Sequence, residues 1–330
     1  RAKIIIGGQI IEDYDGEYIH ILNRLSQSKE KNNLLDRLTG KNIYKTNYLG
    51  NQILTIPLPF WFHRNIGCSL PLNNLLYHDV TIEIELRPIN QIITNINNST
   101  NINNNNFLNI FEDSTWNIDA KIDATYIFLD NILKDSFEKS DLQYIVEPVM
   151  IFKEKNQSGH IKLEENLTAA LPRHQCKEIY ILGRRNDNLE FLNFTNNINI
   201  EDLYSNSRSN MTNKDLLFYN NNIINNIEIK FNTTYRLDKK DGDYFTLIQP
   251  YLHHKYNIKG LYSYSFSLNP DKFQPSGKCN FSHIEKISLL IDLKNPIDNE
   301  KKYKYDLLIY FRYYNILQIR GGMGDLLFRT

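Results

Sequence analysis

Residues 80–87 read VTIEIELR, and this octet sets the fold class. Val80, Ile82, Ile84 and Leu86 alternate with Thr81, Glu83, Glu85 and Arg87. A repeat of two makes no helical stripe. In an extended chain it sorts apolar side chains to one face and polar ones to the other. The same rhythm recurs in Ile118, Ala120, Ile122, Ala124, Tyr126 and Phe128, and in Ile227, Ile229 and Phe231. It returns in Tyr262, Tyr264, Phe266 and Leu268, in Ile287, Leu289, Ile291 and Leu293, and in Tyr305, Leu307, Ile309, Phe311 and Tyr313. Each run predicts a strand with one apolar face inward and one polar face outward, and such sheets pack face to face as sandwiches. Helical signal is sparse. A helix or two is predicted within Asp15–Leu38, from Ile19, Leu22, Leu25, Leu34, Leu35 and Leu38, and a short linking helix within Ile132–Leu142 around Phe137. No strand–helix–strand rhythm supports a parallel α/β sheet.

Composition narrows the function. The 330 residues suggest two domains. The 38 basic and 38 acidic residues give no net charge. A nucleic-acid binder needs a basic excess to neutralise phosphates; a near-neutral subunit can approach its own copies without long-range repulsion. Three cysteines, Cys68, Cys176 and Cys279, lie far apart with no metal-ligand spacing. They read as reduced, buried thiols, consistent with folding in a reducing cytoplasm. The most apolar stretch, Ile53–Phe62, carries two prolines and is half the ~20 residues a membrane span needs. Arg1-Ala2-Lys3-Ile4 lacks a hydrophobic core of signal-peptide length, so no secretion signal is expected. Sequons such as Asn98-Ser99-Thr100, Asn193-Phe194-Thr195 and Asn232-Thr233-Thr234 are expected by chance in so asparagine-rich a chain.

Polar insertions separate the strands. Residues 95–106, NINNSTNINNNN, form a low-complexity tract, and residues 186–226 are a longer asparagine-rich region. Long loops between short strands suit a sandwich whose loops form an outer surface. The expected boundary falls after the linking helix and before Val146-Glu147-Pro148-Val149, dividing the chain into 1–145 and 146–330.

Five blocks resemble, in order, those of major capsid proteins of nucleocytoplasmic large DNA viruses. They are Ile6-Gly7-Gly8-Gln9 with Tyr14-Asp15-Gly16-Glu17-Tyr18; Ile56-Pro57-Leu58-Pro59-Phe60-Trp61-Phe62 with Leu70-Pro71-Leu72 and Tyr77-His78-Asp79-Val80; Asp241-Gly242-Asp243-Tyr244-Phe245 with Gln249-Pro250-Tyr251-Leu252-His253-His254; Phe266-Ser267-Leu268-Asn269-Pro270 with Gln274-Pro275-Ser276-Gly277 and Asn280-Phe281-Ser282-His283-Ile284; and Tyr314-Asn315-Ile316-Leu317-Gln318-Ile319 with Gly322-Met323-Gly324. The resemblance spans essentially the whole chain. It implies an all-β fold of two tandem jelly-roll β-sandwiches, a double jelly roll, whose copies form homotrimeric pseudo-hexagonal capsomers. The family carries strands ahead of the first block, so the first jelly roll is expected to be incomplete at its N-terminus. Asparagine drift in the loops includes Asn73-Asn74, which matters more if that segment is buried.

The motif residues read as structural. Pro57 and Pro59 suit an edge, a bulge or a strand entry, and Phe60, Trp61 and Phe62 supply buried area or meet a neighbouring subunit. Gln274-Pro275-Ser276-Gly277 reads as a rigid turn. His253-His254, placed on a strand, would point to opposite faces and chelate poorly; no HxH or HExxH spacing occurs among the eight histidines. Gly321-Gly322-Met323-Gly324 lacks the spacing and lysine of a phosphate loop, and no G-x-S-x-G elbow occurs. No catalytic, cofactor-binding or metal-binding residues are assigned. The 21 tyrosines, five of them in 303–314, suit core packing and subunit contact.

The leading expectation is a non-enzymatic major capsid subunit, located in the virion and assembled in the host cytoplasm. Its partners would be itself, as homotrimer and then lattice, and minor capsid and penton proteins, with no direct nucleic acid and only indirect contact with an inner membrane. Two alternatives stand beside it. One is a double jelly-roll scaffold that shapes a membrane during assembly. The other is a carbohydrate-binding jelly-roll module or cupin-like enzyme, which would need clustered metal ligands.

Overall fold

The computed structural model describes residues 1–40, 53–87, 119–163, 174–185, 222–258, 260–294 and 304–328. The elements run β1 (Ala2–Ile6), β2 (Gln9–Tyr14), α1 (Gly16–Leu25), α2 (Lys29–Leu38), the single turn α3 (Trp61–Arg64), β3 (Val80–Ile84) and α4 (Asn131–Lys139). There follow β4 (Leu142–Val146), β5 (Val149–Gln157), β6 (His160–Leu163), β7 (Gln175–Arg185), β8 (Ile224–Phe231) and β9 (Thr234–Asp241). After a π-turn at Tyr244–Ile248 come α5 (Gln249–His253), β10 (Leu261–Ser265), β11 (Cys279–Asn280), β12 (Ile287–Leu293), β13 (Tyr305–Arg320) and β14 (Met323–Leu326). Tract 95–106 and most of 186–226 lie outside the described residues.

Every pairing between described strands is antiparallel. One sheet has the order β2-β1-β3 and another β6-β12-β8-β9. The central sheet runs β10-β7-β13-β14, with β11 also on β7 and with β4 and β5 also on β13. The helices form where their caps allow. Asp15 accepts from the Tyr18 N–H to open α1, Ser28 from Lys31 to open α2, and Asp130 from Leu133 to open α4.

Two hydrophobic cores result. One gathers Ile4, Ile6, Tyr14, Tyr18, Leu22, Phe60 and Trp61 beneath Tyr180, Leu182, Leu308 and Tyr310. The other gathers Ile227, Ile229, Phe245, Leu289 and Ile291 beneath Ile179, Ile181, Leu307, Ile309 and Phe311. Alternate residues of β7 and β13 thus enter opposite cores, and the two strands form a wall shared by both. This corrects the expectation that the 305–313 strand turns a polar face to solvent: Leu308, Tyr310 and Arg312 are as buried as their neighbours. A strand buried on both faces reads as a continuous apolar run, and Leu-Leu-Ile-Tyr-Phe at 307–311 is one.

The strand expected over 118–128 is not formed. Residues 119–130 form no regular element, and Ile122, Tyr126 and Phe128 are exposed. Ile118 lies outside the described residues. Alternation supplies a candidate face, but a strand also needs a hydrogen-bonded neighbour, and no described strand pairs there. β3 does form, and Val80 and Ile82 pack on the first core while Ile84 and Leu86 are exposed. β10 stops at Ser265, so Leu268 is exposed instead of extending the alternation.

Candidate functional site

The motif blocks meet in three dimensions at two places. At the first, Gly7 and Gly8 form a two-residue hairpin between Ile6 and Gln9, with φ of 56° and 80°. Two positive φ values in succession define a type I′ turn, where glycine is favoured. Gly321 and Gly322 make the same turn between Arg320 and Met323, with φ of 57° and 82°. Tyr77 and His78 sit between the hairpins. The Tyr77 N–H donates to the Gly322 carbonyl at 3.0 Å, and the Gly324 N–H donates to His78 Nδ1 at 3.2 Å. A Cβ on Gly7 would lie 2.3 Å from the His78 ring, and one on Gly322 would lie 2.6 Å from Tyr77. Gln9 Oε1 accepts from the Leu326 N–H at 3.1 Å, tying β2 to β14. Met323 itself is exposed.

At the second place, the Asp241 carboxylate accepts from the Tyr244 N–H at 3.0 Å and Gly242 lies where a Cβ would strike the Ile224 carbonyl. Phe245 is buried in the second core. Gln249 Nε2 donates to the Tyr244 hydroxyl at 2.9 Å, and its Oε1 accepts from the Ser265 N–H at 3.1 Å. Pro250, in the first turn of α5, is also buried. The Gln274–Gly277 stretch leaves Gln274 and Pro275 exposed, while the Ser276 hydroxyl bonds that of Ser267 at 2.7 Å. Gly277 has φ of 149°, and a Cβ there would strike the Phe266 carbonyl. Asn280 Oδ1 accepts from the Ser282 N–H and hydroxyl, capping the turn that buries Phe281. Asn315 Nδ2 donates to the Phe328 carbonyl at 2.7 Å.

Pro57 and Pro59 lead into the α3 turn and not into a strand; Pro59, Phe60 and Trp61 are buried and Phe62 half-buried. Pro71 precedes a 3-10 turn over Leu72–Asn74. Asn74 is buried there and its amide donates to the Phe137 carbonyl of α4.

Between the blocks lies a buried ionic network that the motifs did not mark. Arg312 on β13 donates Nη1 to Glu178 Oε2 at 2.9 Å and Nη2 to Glu147. Lys177 Nζ donates to Glu147 Oε1 at 2.5 Å and lies 5.2 Å from the centre of the Tyr314 ring. The Tyr180 hydroxyl donates to Glu178 Oε2 at 2.6 Å. His254 stands with Nε2 3.2 Å from Glu178 Oε1 and Nδ1 3.0 Å from Asp271 Oδ1. Glu12, also buried, accepts from the Trp61 and Glu147 backbone N–H groups. Three carboxylates, Glu147, Glu178 and Asp271, therefore face Lys177, Arg312 and a protonated His254.

A backbone irregularity helps to build this network. β7 bulges at Lys177, where Tyr313 pairs with Cys176 but Arg312 pairs with Glu178, so Cys176, Lys177 and Glu178 can all be buried in succession. The histidine pair is not on a strand: His253 ends α5 and His254 follows it, so His254 turns inward while His253 bonds the Leu268 carbonyl at the surface. The available sequence signals were a charged residue inside an apolar run, Lys177-Glu178 before Ile179 and Arg312 after Phe311. Register alone decides that they meet.

The electrostatics follow from burial and pairing. Burial alone would raise the Glu178 carboxyl, but His254, Arg312 and Lys177 outweigh it and hold it at about 2. Burial would lower His254, yet Glu178 and Asp271 lift it to about 9. Burial and Arg312 lower Lys177 to about 8 against the pull of Glu147 and Glu178.

The His254 pairing stabilises the fold fully below its ordinary value of 6.5 and is lost as pH rises through about 9. The Glu178 contribution is present above its ordinary 4.5 and is lost as pH falls through about 2. Lys177 acts in the opposite sense to His254: above about pH 8 its early deprotonation in the folded chain lets stability recover as pH rises. The clean window is therefore 6.5 to 8. Unfolding free energy measured by urea titration should fall across it by up to about 2 kcal/mol, at no more than about 1.4 kcal/mol per pH unit. His254→Gln should flatten the slope, and an unchanged slope in that variant would remove His254 as its cause.

The ionisable groups are consumed by one another, and the adjoining crevice beside Tyr180, Asp271 and Arg312 offers about 10 Å³ of space for water, room for about one molecule. Among the described residues no three His, Cys, Asp or Glu side chains converge as a metal site. The arrangement fastens parts of the chain together.

Comparison with known proteins fits this architecture. The profile of the large eukaryotic DNA virus major capsid protein matches residues 134–325, and that of the major capsid protein N-terminus matches residues 1–130. The chain belongs to the major capsid protein family of large eukaryotic DNA viruses. The family protein of Phaeocystis pouchetii virus is 24% identical over 99% of this chain and 80% of its own length. That of Paramecium bursaria Chlorella virus 1 is 25% identical over 98% and 77%. The solved structure described as the PBCV-1 virus capsid, quasi-atomic model, superposes with a TM-score of 0.66 at 21% identity, covering all of this chain and 83% of that one. The fold of this capsid protein is the double jelly roll, and its role is that of a structural subunit of the virion shell.

Proposed function

We propose that this capsid protein works through its surfaces and not through catalysis. Three copies associate as a pseudo-hexagonal capsomer and capsomers tile an icosahedral shell, joined by minor capsid and penton proteins and assembled in the host cytoplasm. The chain divides into units 1–145 and 146–330, with β13 contributing to both cores, and the motif residues act structurally by holding turns and joining strands remote in sequence. The observation that carries this reading is the set of large apolar side chains left in solvent: Phe128 is 93% exposed, Tyr251 87% and Ile132 81%. Exposed aromatic and aliphatic groups of this kind suit subunit contacts, where tyrosine and phenylalanine are enriched.

Light scattering of the protein expressed from the whole of its gene, over rising concentration, is the test. Trimers should form first, with ordered lattices then visible by electron microscopy. Monomers alone throughout the series would refute the reading.

A further inference from the structure

Cys176 and Cys279 are remote in sequence, yet the fold sets them face to face. β11 pairs with β7 in the register Cys279 with Cys176 and Asn280 with Gln175. One residue further on, the Phe281 N–H donates to the His174 carbonyl at 3.0 Å. Hydrogen-bonded pairs recur at every second position of an antiparallel ladder. Cys176 and Cys279, two positions from that bond, therefore occupy such a pair, for which Cα atoms stand about 5.5 Å apart. A disulfide spans Cα separations of about 4.4–6.8 Å with Cβ atoms about 3.5–4.5 Å apart; opposed Cβ atoms start about 4.5–5.5 Å apart, so closure draws the two-residue strand β11 slightly toward β7. Directly opposed residues also project to the same face, and both thiols contribute to the second core. Both are free, Cys176 fully buried and Cys279 half-buried. Cys68 belongs to the other core and cannot compete for either.

We propose that Cys176 and Cys279 form a redox-sensitive modification site, a thiol pair that a small-molecule disulfide such as oxidised glutathione converts into a cross-strand disulfide. In the first step the half-exposed Cys279 thiolate attacks one sulfur of the oxidant, forming a mixed disulfide and expelling one glutathione thiolate. In the second, the Cys176 thiolate attacks Cys279 Sγ, the protein disulfide closes and the second glutathione thiolate leaves. Two protein thiols are oxidised, one glutathione disulfide is reduced to two thiols, and the two cysteine protons end on the two leaving groups. Burial pushes both cysteine thiols up, so exchange should quicken on the alkaline side of neutrality.

The product would be a staple. β11 is only two residues long, and the connector from Phe266 to Lys278 otherwise reaches β7 through contacts such as Lys278 Nζ to Gln175 Oε1 at 2.6 Å. The disulfide would fix that connector covalently to the wall strand shared by both cores.

The test uses the whole chain, fully reduced and then incubated with oxidised glutathione under mildly alkaline conditions. It is next denatured, alkylated, digested and analysed by mass spectrometry. The three free cysteines should fall to one alkylatable thiol, Cys68, with a peptide cross-linked between Cys176 and Cys279. Cys279→Ser should abolish that peptide and leave Cys176 open to alkylation. Oxidised wild-type chain in which both cysteines are still alkylated, stop at the glutathione adduct or pair instead with Cys68 or another chain would overturn the assignment.

Discussion

Arg312→Ala should destabilise the fold by about 3–5 kcal/mol, the range for breaking a buried ion pair from one side. Its side chain is 3% exposed and bridges Glu178 to Glu147. Removing the guanidinium takes one cation from Glu178, which keeps His254, Lys177 and the Tyr180 hydroxyl beside it, and one from Glu147, which keeps Lys177. Glu178, 1% exposed, cannot reach water without opening the wall between the cores, whereas Glu147 is 13% exposed. The cost is therefore the desolvation of stranded charge and not the worth of the contacts themselves. Arg312→Lys should recover part of it, because an ammonium keeps the charge but cannot serve two carboxylates with a planar fork. The midpoint and slope of urea unfolding measure both variants, and an Arg312→Ala midpoint equal to wild type would show that the network contributes nothing.

Tyr18→Ala should cost a similar amount, about 3–5 kcal/mol, for a different reason. Tyr18 is fully buried on α1, with its ring centre 5.4 Å from Tyr310 in a stacked arrangement and 5.2 Å from Tyr14. It also meets Tyr180 at 6.3 Å. These rings join the helix to both wall strands, so truncation opens a cavity that rigid strands cannot collapse to fill. Tyr251→Ala is the control. Its ring is exposed in the single chain, so monomer stability should move by no more than about 0.5 kcal/mol. Thermal unfolding of the two variants separates the cases; equal losses would mean that Tyr18 does not lock α1 to the wall.

Much of this architecture is legible in local pattern. The alternations at 227–231, 287–293 and 305–313 become strands, the apolar spacing within 15–38 becomes two helices, and the segment around Phe137 becomes α4. These signals are local because side-chain direction in a strand or helix depends only on neighbouring dihedrals. The two glycine hairpins are equally local, since few residues other than glycine accept two positive φ values in succession.

What a strand's second face meets is not a local property. Residues 118–128 alternate as cleanly as residues 287–293, yet only the latter find neighbours on both edges, β6 and β8. Leu308, Tyr310 and Arg312 look like the outward face of a sandwich strand until α1 and Phe60-Trp61 cover them. Local pattern marked the strands at 227–231, 287–293 and 305–313 and the helices within 15–38, but not the fate of 118–128. The tertiary structure decided that β7 and β13 divide two cores, that Glu147, Glu178, Arg312 and His254 converge, and that Cys176 faces Cys279. The reason is that register and layering are set by contacts between residues far apart in the chain, and a single shift of pairing would send every one of those side chains to the opposite face.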